Sequence, residues 1–75
     1  MEKILFGVVG RIIAGDDASS YVKVVDDAEN TGGFLILTSN RPDMITGFDN
    51  WVETKEAVGS FFAESNWEVD WKIGG

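Results

Sequence analysis

The chain has 75 residues, of which 44% are hydrophobic, contains neither cysteine nor histidine, and carries a formal net charge of −7. This length gives room for one hydrophobic core, so we expect a single domain over residues 1–75. The composition excludes disulfides, thiolate nucleophiles, histidine-mediated proton transfer and the usual zinc sites. It also disfavours nucleic acid and anionic membranes as partners and favours basic proteins.

The N-terminal residues have no long apolar stretch and no small-residue cleavage site of the kind that marks a signal peptide. No apolar run elsewhere in the sequence reaches the length of a membrane span. We therefore expect a cytoplasmic protein.

The first third of the sequence predicts a β-hairpin. Residues 4–14 are mostly apolar and β-branched, interrupted by Gly7 and Gly10, which suits a long strand that is covered on both faces or bent at a glycine. Turn-forming residues follow at 15–20, and a β-rich run at 21–25 predicts the second strand.

A third strand and a loop follow in the middle of the chain. The polar segment 26–33 ends in two glycines, whose freedom to adopt positive φ suits a turn into an antiparallel strand at 34–38. Residues 39–47 show no periodicity and include the chain's one proline, which predicts a loop. The first three strands therefore form a meander.

The next segment predicts a short strand and a helix. Residues 48–53 alternate as an edge strand does, although they also resemble a capping box, and we favour a short extended segment. Thr54 is the expected N-cap of a helix over residues 55–65, and Asn66 is its expected left-handed stop. Its apolar side chains lie at helical spacing, at Val58, Phe61 and Phe62.

The segment 67–73 alternates strictly between apolar and charged residues, which is typical of a strand with one buried face. Its apolar side chains should pack beneath the helix; they are Trp67, Val69, Trp71 and Ile73. The predicted fold class is α+β, an antiparallel sheet of four to five strands with one helix packed on a face, in the order β-β-β-(β)-α-β.

The acidic segment 26–33 is the first candidate for a binding site. With Asp27 as the first position of a calcium loop, Gly32 occupies the glycine position, but the twelfth position is Thr38 rather than the required glutamate. A metal or small-ligand site therefore remains a lesser alternative to a plain Asx-type turn or a partner-contacting loop. We expect no bound metal and no cofactor.

Catalysis is not expected. Acidic residues adjacent in sequence point to opposite sides of a strand and form no paired-carboxylate cleft, and the serines have no histidine to activate them.

Trp51 is a candidate for partner binding, because its polar, acidic neighbours are compatible with two locations of its side chain. It either caps an open end of the core or stands exposed as a binding anchor.

Three runs of the sequence carry a family resemblance: residues 24–37, residues 47–53 and residues 67–71. Together they resemble small acidic bacterial immunity proteins of polymorphic and contact-dependent toxin systems. The resemblance implies a protein that binds and neutralises a partner toxin without chemistry of its own. It also implies a structural or toxin-facing role for the 26–33 turn, with Asp49 and Trp51.

The predicted function is thus a non-enzymatic acidic protein-binding module, an immunity-type inhibitor of a basic toxin such as a nuclease. The expected partner-binding residues are six acids that steer association and one aromatic anchor: Asp16, Asp17, Asp26, Asp27, Glu29, Asp49 and Trp51. The alternative is a small homodimeric structural domain whose acidic surface serves solubility, with an apolar first strand that a second copy covers.

Overall fold

The computed structural model describes residues 4–41, 43–44 and 47–71. Its elements in chain order are the strands β1 (Val9–Ala14), β2 (Tyr21–Asp27), β3 (Gly33–Ser39) and β4 (Phe48–Val52), the helix α1 (Lys55–Glu64) and the strand β5 (Glu68–Asp70).

The strands form one five-stranded sheet in the order β4-β3-β2-β1-β5. Each pair of neighbouring strands is antiparallel, so β1 to β4 form a meander. The chain then returns through α1 and places β5 beside β1, on the edge opposite β4. The predicted α+β fold, with an antiparallel sheet and one helix, is confirmed.

The core lies between α1 and one face of the sheet. Because side chains alternate along a strand, every second residue of the inner strands faces the helix. The buried core residues are Ile12, Val22, Val24, Ile36, Val58, Phe62, Trp67 and Val69. The helix contributes two of them, Val58 and Phe62, as its apolar spacing predicts.

Aromatic rings join the C-terminal segment to the helix. The ring of Trp67 meets Phe61 and Phe62 edge to face, with centroids 5.4 and 5.0 Å away, and Trp71 stacks on Phe62 at 6.3 Å. The predicted packing of this segment beneath the helix is confirmed for Trp67, Val69 and Trp71. Ile73 lies outside the described residues.

The first strand is shorter than predicted. It begins at Val9 rather than at residue 4, because the chain bends at Gly7, which has a φ of 76°. Phe6, before the bend, forms an isolated parallel bridge with Val24. The strand is also not covered on both faces, since Ile13 is 57% exposed, so the bend at a glycine is the outcome observed.

The helix has the predicted ends. Thr54 is extended and its hydroxyl caps the first turn, Ser65 is the C-cap, and Asn66 has a φ of 56°. Among the described residues, no helix combines the length and the apolar content needed to cross a bilayer.

We expect Thr54→Ala to lower the free energy of unfolding by about 1 kcal/mol. The Thr54 hydroxyl oxygen accepts a hydrogen bond from the Ala57 N–H at 3.1 Å, and alanine leaves that N–H without this acceptor. Urea denaturation followed by circular dichroism measures the change. Thr54→Ser is the control, because it keeps the hydroxyl; an equal loss in both variants would contradict the capping role.

Candidate protein-binding surface

The sheet face opposite α1, here called the open face, carries no further element among the described residues. Strand register places two rows of side chains on it. One row runs Val25, Leu35 and Trp51, and the next runs Val9, Lys23, Leu37 and Asp49. The open face is therefore an apolar surface with charged groups among its side chains, and Trp51 and Asp49 lie at its β4 edge.

Trp51 is held in place although it is 49% exposed. Its indole Nε1–H donates a hydrogen bond to the Thr31 hydroxyl at 2.9 Å. Its ring lies against Gly33, where an added Cβ would be only 2.6 Å from the Cε2 and Nε1 atoms. Trp51 is also absent from the hydrophobic core. Of the two locations that the sequence allowed for its side chain, the structure shows the exposed one.

The last two residues of β2 and the first four residues of the β2–β3 connection, here called the acidic turn (residues 26–31), are held by hydrogen bonds among their own side chains and backbone. One carboxylate oxygen of Asp26 accepts from the Ala28 N–H at 3.1 Å, as in an Asx turn, and Asp27 accepts from the Asn30 side chain at 3.0 Å. The Thr31 hydroxyl donates to the Asp27 carbonyl at 3.2 Å. Thr31 therefore links the acidic turn directly to Trp51.

The acidic turn presents negative charge without assembling a metal site. Within the described part of the chain, no group of three or more carboxylates is placed to hold a metal ion. The carboxylates of Asp26 and Asp27 each use an oxygen within the turn, and Glu29 is exposed.

The predicted partner-binding residues divide between two ends of the sheet. Three of them lie in the acidic turn, Asp26, Asp27 and Glu29, and Trp51 lies beside it through its hydrogen bond to Thr31. Strand alternation places Asp27 on the open face and Asp26 on the helix side. Asp49 lies on the open face two residues before Trp51. Asp16 and Asp17 lie in the β1–β2 turn, at the other end of β2, and a seven-residue strand separates the two ends by roughly 20 Å.

Two residues of this surface, and one exposed ring on the other face of β4, were not predicted from the sequence. Thr31 and Gly33 position Trp51, but only the pairing of β3 with β4 brings them beneath the ring. Phe48, at the start of β4, is 79% exposed and lines an open pocket with Asp17 and Asn40. The sequence feature that could have indicated this exposure is the position of Phe48 in the alternating segment 48–53, which predicts an edge strand.

The β3–β4 loop adds little net charge to the surface. Arg41 and Asp43 form an exposed ion pair, with Nη2 and Oδ2 2.8 Å apart. The pKa of Arg41 is raised by its hydrogen bonds to Asp43 and by the charge of that carboxylate. The negative charge of Asp43 is therefore balanced locally, unlike that of the acidic turn.

Comparison with known proteins identifies no family model, no curated protein and no solved structure that matches this chain.

Proposed function

We propose that this chain is a non-enzymatic protein-binding module, an immunity-type inhibitor that covers a basic surface of a partner toxin, such as a nuclease, in the cytoplasm. The main observation that supports the proposal is the position of the Trp51 side chain, which is half-exposed and is held beside the acidic turn by a hydrogen bond. The sequence resemblance to immunity proteins points to the same kind of partner.

Trp51 has the properties of an interface anchor. Tryptophan is enriched among the residues that dominate binding energy, because a large ring removes much apolar surface from water. Here the hydrogen bond to Thr31 and the contact with Gly33 already fix the ring in the free protein. Binding therefore costs little side-chain entropy at this position.

The acids around Trp51 supply attraction over longer range. Asp26, Asp27 and Glu29 lie in one turn, and Asp49 lies on the same strand as the anchor. A cluster of negative charges raises the rate of association with a basic partner and makes that rate depend on salt concentration. The absence of histidine and cysteine from the sequence favours binding over catalysis.

We expect Trp51→Ala to weaken partner binding by about 30-fold or more, which corresponds to roughly 2 kcal/mol. The free energy of unfolding should fall by less than about 2 kcal/mol, because the ring is half-exposed and outside the core. The partner is captured from the native host at low salt, and its affinity is then measured by calorimetry.

Phe48→Ala is the matched control for this experiment. It also removes an exposed ring from β4, but from the other face of the strand, so partner affinity should be nearly unchanged. Recovery of no basic protein, or equal binding at low and high salt, would contradict the proposal.

A pair of charge variants tests which end of the sheet meets the partner. Asp26→Asn combined with Glu29→Gln should slow association several-fold at low salt, with little effect on dissociation. Asp16→Asn combined with Asp17→Asn removes the same charge from the opposite end and should slow association less. Stopped-flow kinetics measures both; the reverse ranking would move the binding surface to the β1–β2 turn.

A further inference from the structure

The outer edge of β4 is an unpaired strand edge within the described residues. The sheet ends at β4, which pairs with β3 along all five of its residues. Residues 48–51 are exposed, and they include the two aromatic rings with large exposure, Phe48 at 79% and Trp51 at 49%. An open edge offers a row of backbone donors and acceptors to another strand.

This edge lacks several of the usual features that prevent strand pairing, and it carries one charged residue, Asp49. It contains no proline and no lysine, and its register with β3 has no irregularity. The opposite edge differs, because β5 is only three residues long, two of them the acids Glu68 and Asp70. The register between β1 and β5 is also irregular. Of the two edges, β4 is the one suited to pairing.

The sequence of β4 is complementary to itself. In an antiparallel pair of copies with a twofold axis at Asn50, Phe48 lies opposite the partner's Val52, and Asp49 lies opposite the partner's Trp51. Apolar residues meet on the helix side, and no acid directly opposes an acid. An axis at Asp49 would oppose two carboxylates, and an axis at Trp51 would oppose Asp49 and the partner's Glu53.

We propose that two copies of this chain associate through β4, antiparallel about Asn50, to form a continuous ten-stranded sheet. The axis is perpendicular to the sheet, so both helices lie on one side and both open faces merge on the other. The two Trp51 residues are then diagonal neighbours, about 7–8 Å apart at Cα. The dimer would present two anchors and two acidic turns on one surface.

The charge of the chain predicts how this association responds to salt. Each copy has a net charge of −7, so the two copies repel one another, and screening should strengthen the dimer. Binding of a basic partner has the opposite salt dependence. Pairing through a five-residue strand buries less surface than a standard interface, which covers about 800 Å² per partner. We therefore expect a weak dimer whose population depends on the protein concentration.

Sedimentation velocity from micromolar to millimolar concentration tests the association. We expect a monomer–dimer equilibrium that shifts toward dimer in about 0.5 M NaCl. Asn50→Lys places two ammonium groups opposite each other at the axis and should lower the association constant several-fold. Glu68→Lys, at the β5 edge, is the control and should not lower it.

Cysteine cross-linking tests the register, since the natural chain has no cysteine. Residues directly opposite in an antiparallel pair have Cα atoms about 4.5–5.5 Å apart, within the range of a disulfide. Asn50→Cys should therefore form a covalent dimer in a glutathione buffer several-fold faster than Asp49→Cys, whose two copies are diagonal.

A protein that stays monomeric at millimolar concentration in high salt would overturn the proposal. So would equal cross-linking of the two cysteine variants, or a dimer unaffected by Asn50→Lys. These measurements use no toxin, so their failure leaves the proposed function standing.

Discussion

Trp67→Ala is expected to leave the protein largely unfolded. Trp67 is 6% exposed and packs against Phe61 and Phe62, so its removal leaves a cavity between the helix and the sheet. Truncating a buried tryptophan costs about 3–5 kcal/mol. A domain this small has about the same total stability. Urea denaturation and the near-ultraviolet circular dichroism of the remaining tryptophans measure the effect.

Trp67→Phe is the control that separates loss of the ring from loss of the indole N–H. The Trp67 Nε1 atom is buried with no hydrogen-bond partner among the described residues. Replacing it with phenylalanine keeps an aromatic ring and removes an unsatisfied donor, whose burial costs about 1–3 kcal/mol. We therefore expect a folded variant within about 1 kcal/mol of the parent. Equal unfolding of both variants would contradict this account of the core.

The sequence predicts similar burial for Trp67 and Trp71, and the structure does not agree. The strand ends at Asp70, so Trp71 lies just beyond it, half-buried and stacked on Phe62. Trp67 is buried more deeply, between two helix side chains. Strict alternation identifies the inward face of a strand, but the depth of each residue depends on the position of the helix, which is a long-range property.

Most of the fold is predictable because its signals are local. The capping residue Thr54, the stop at Asn66 and the alternation in the last segment each act over a few residues. The place of β5 beside β1 has no such local signal, since it depends on how α1 crosses the sheet. The bend at Gly7 has a local signal in the glycine itself, whose φ is 76°, but the bridge that Phe6 forms with Val24 has none.

The candidate site is less predictable for the same reason. The position of the Trp51 ring depends on a glycine eighteen positions earlier, which the register of β3 and β4 brings under the ring. The separation of Asp16 and Asp17 from the acidic turn follows from the meander itself, because successive hairpin turns lie at opposite ends of a sheet. Grouping acids by charge alone overlooks that separation.

The other large effect is expected at Gly15, where the β1–β2 turn meets the end of the helix. Gly15 has a φ of 96°, and the Asp16 N–H donates to the Ser65 carbonyl at 2.9 Å. A Cβ at Gly15 would collide with the carbonyl oxygen of Asn66 and lie 2.8 Å from that of Ser65. These obstacles are backbone atoms, so a side-chain rotation does not relieve them.

Gly15→Ala should therefore lower the free energy of unfolding by about 2–5 kcal/mol, the sum of left-handed strain and displaced packing. Gly32→Ala is the matched control, because Gly32 has a φ of 80° but no atom near its added Cβ. It should cost only the conformational strain, about 1–2 kcal/mol. Urea denaturation of both variants measures these losses. Equal losses of unfolding free energy would show that the contact between the turn and the helix end contributes no stability. A larger loss of unfolding free energy in Gly15→Ala would show that the β1–β2 turn packs against the C-terminal end of α1. The end of the sheet that carries Asp16 and Asp17 is then held by the helix.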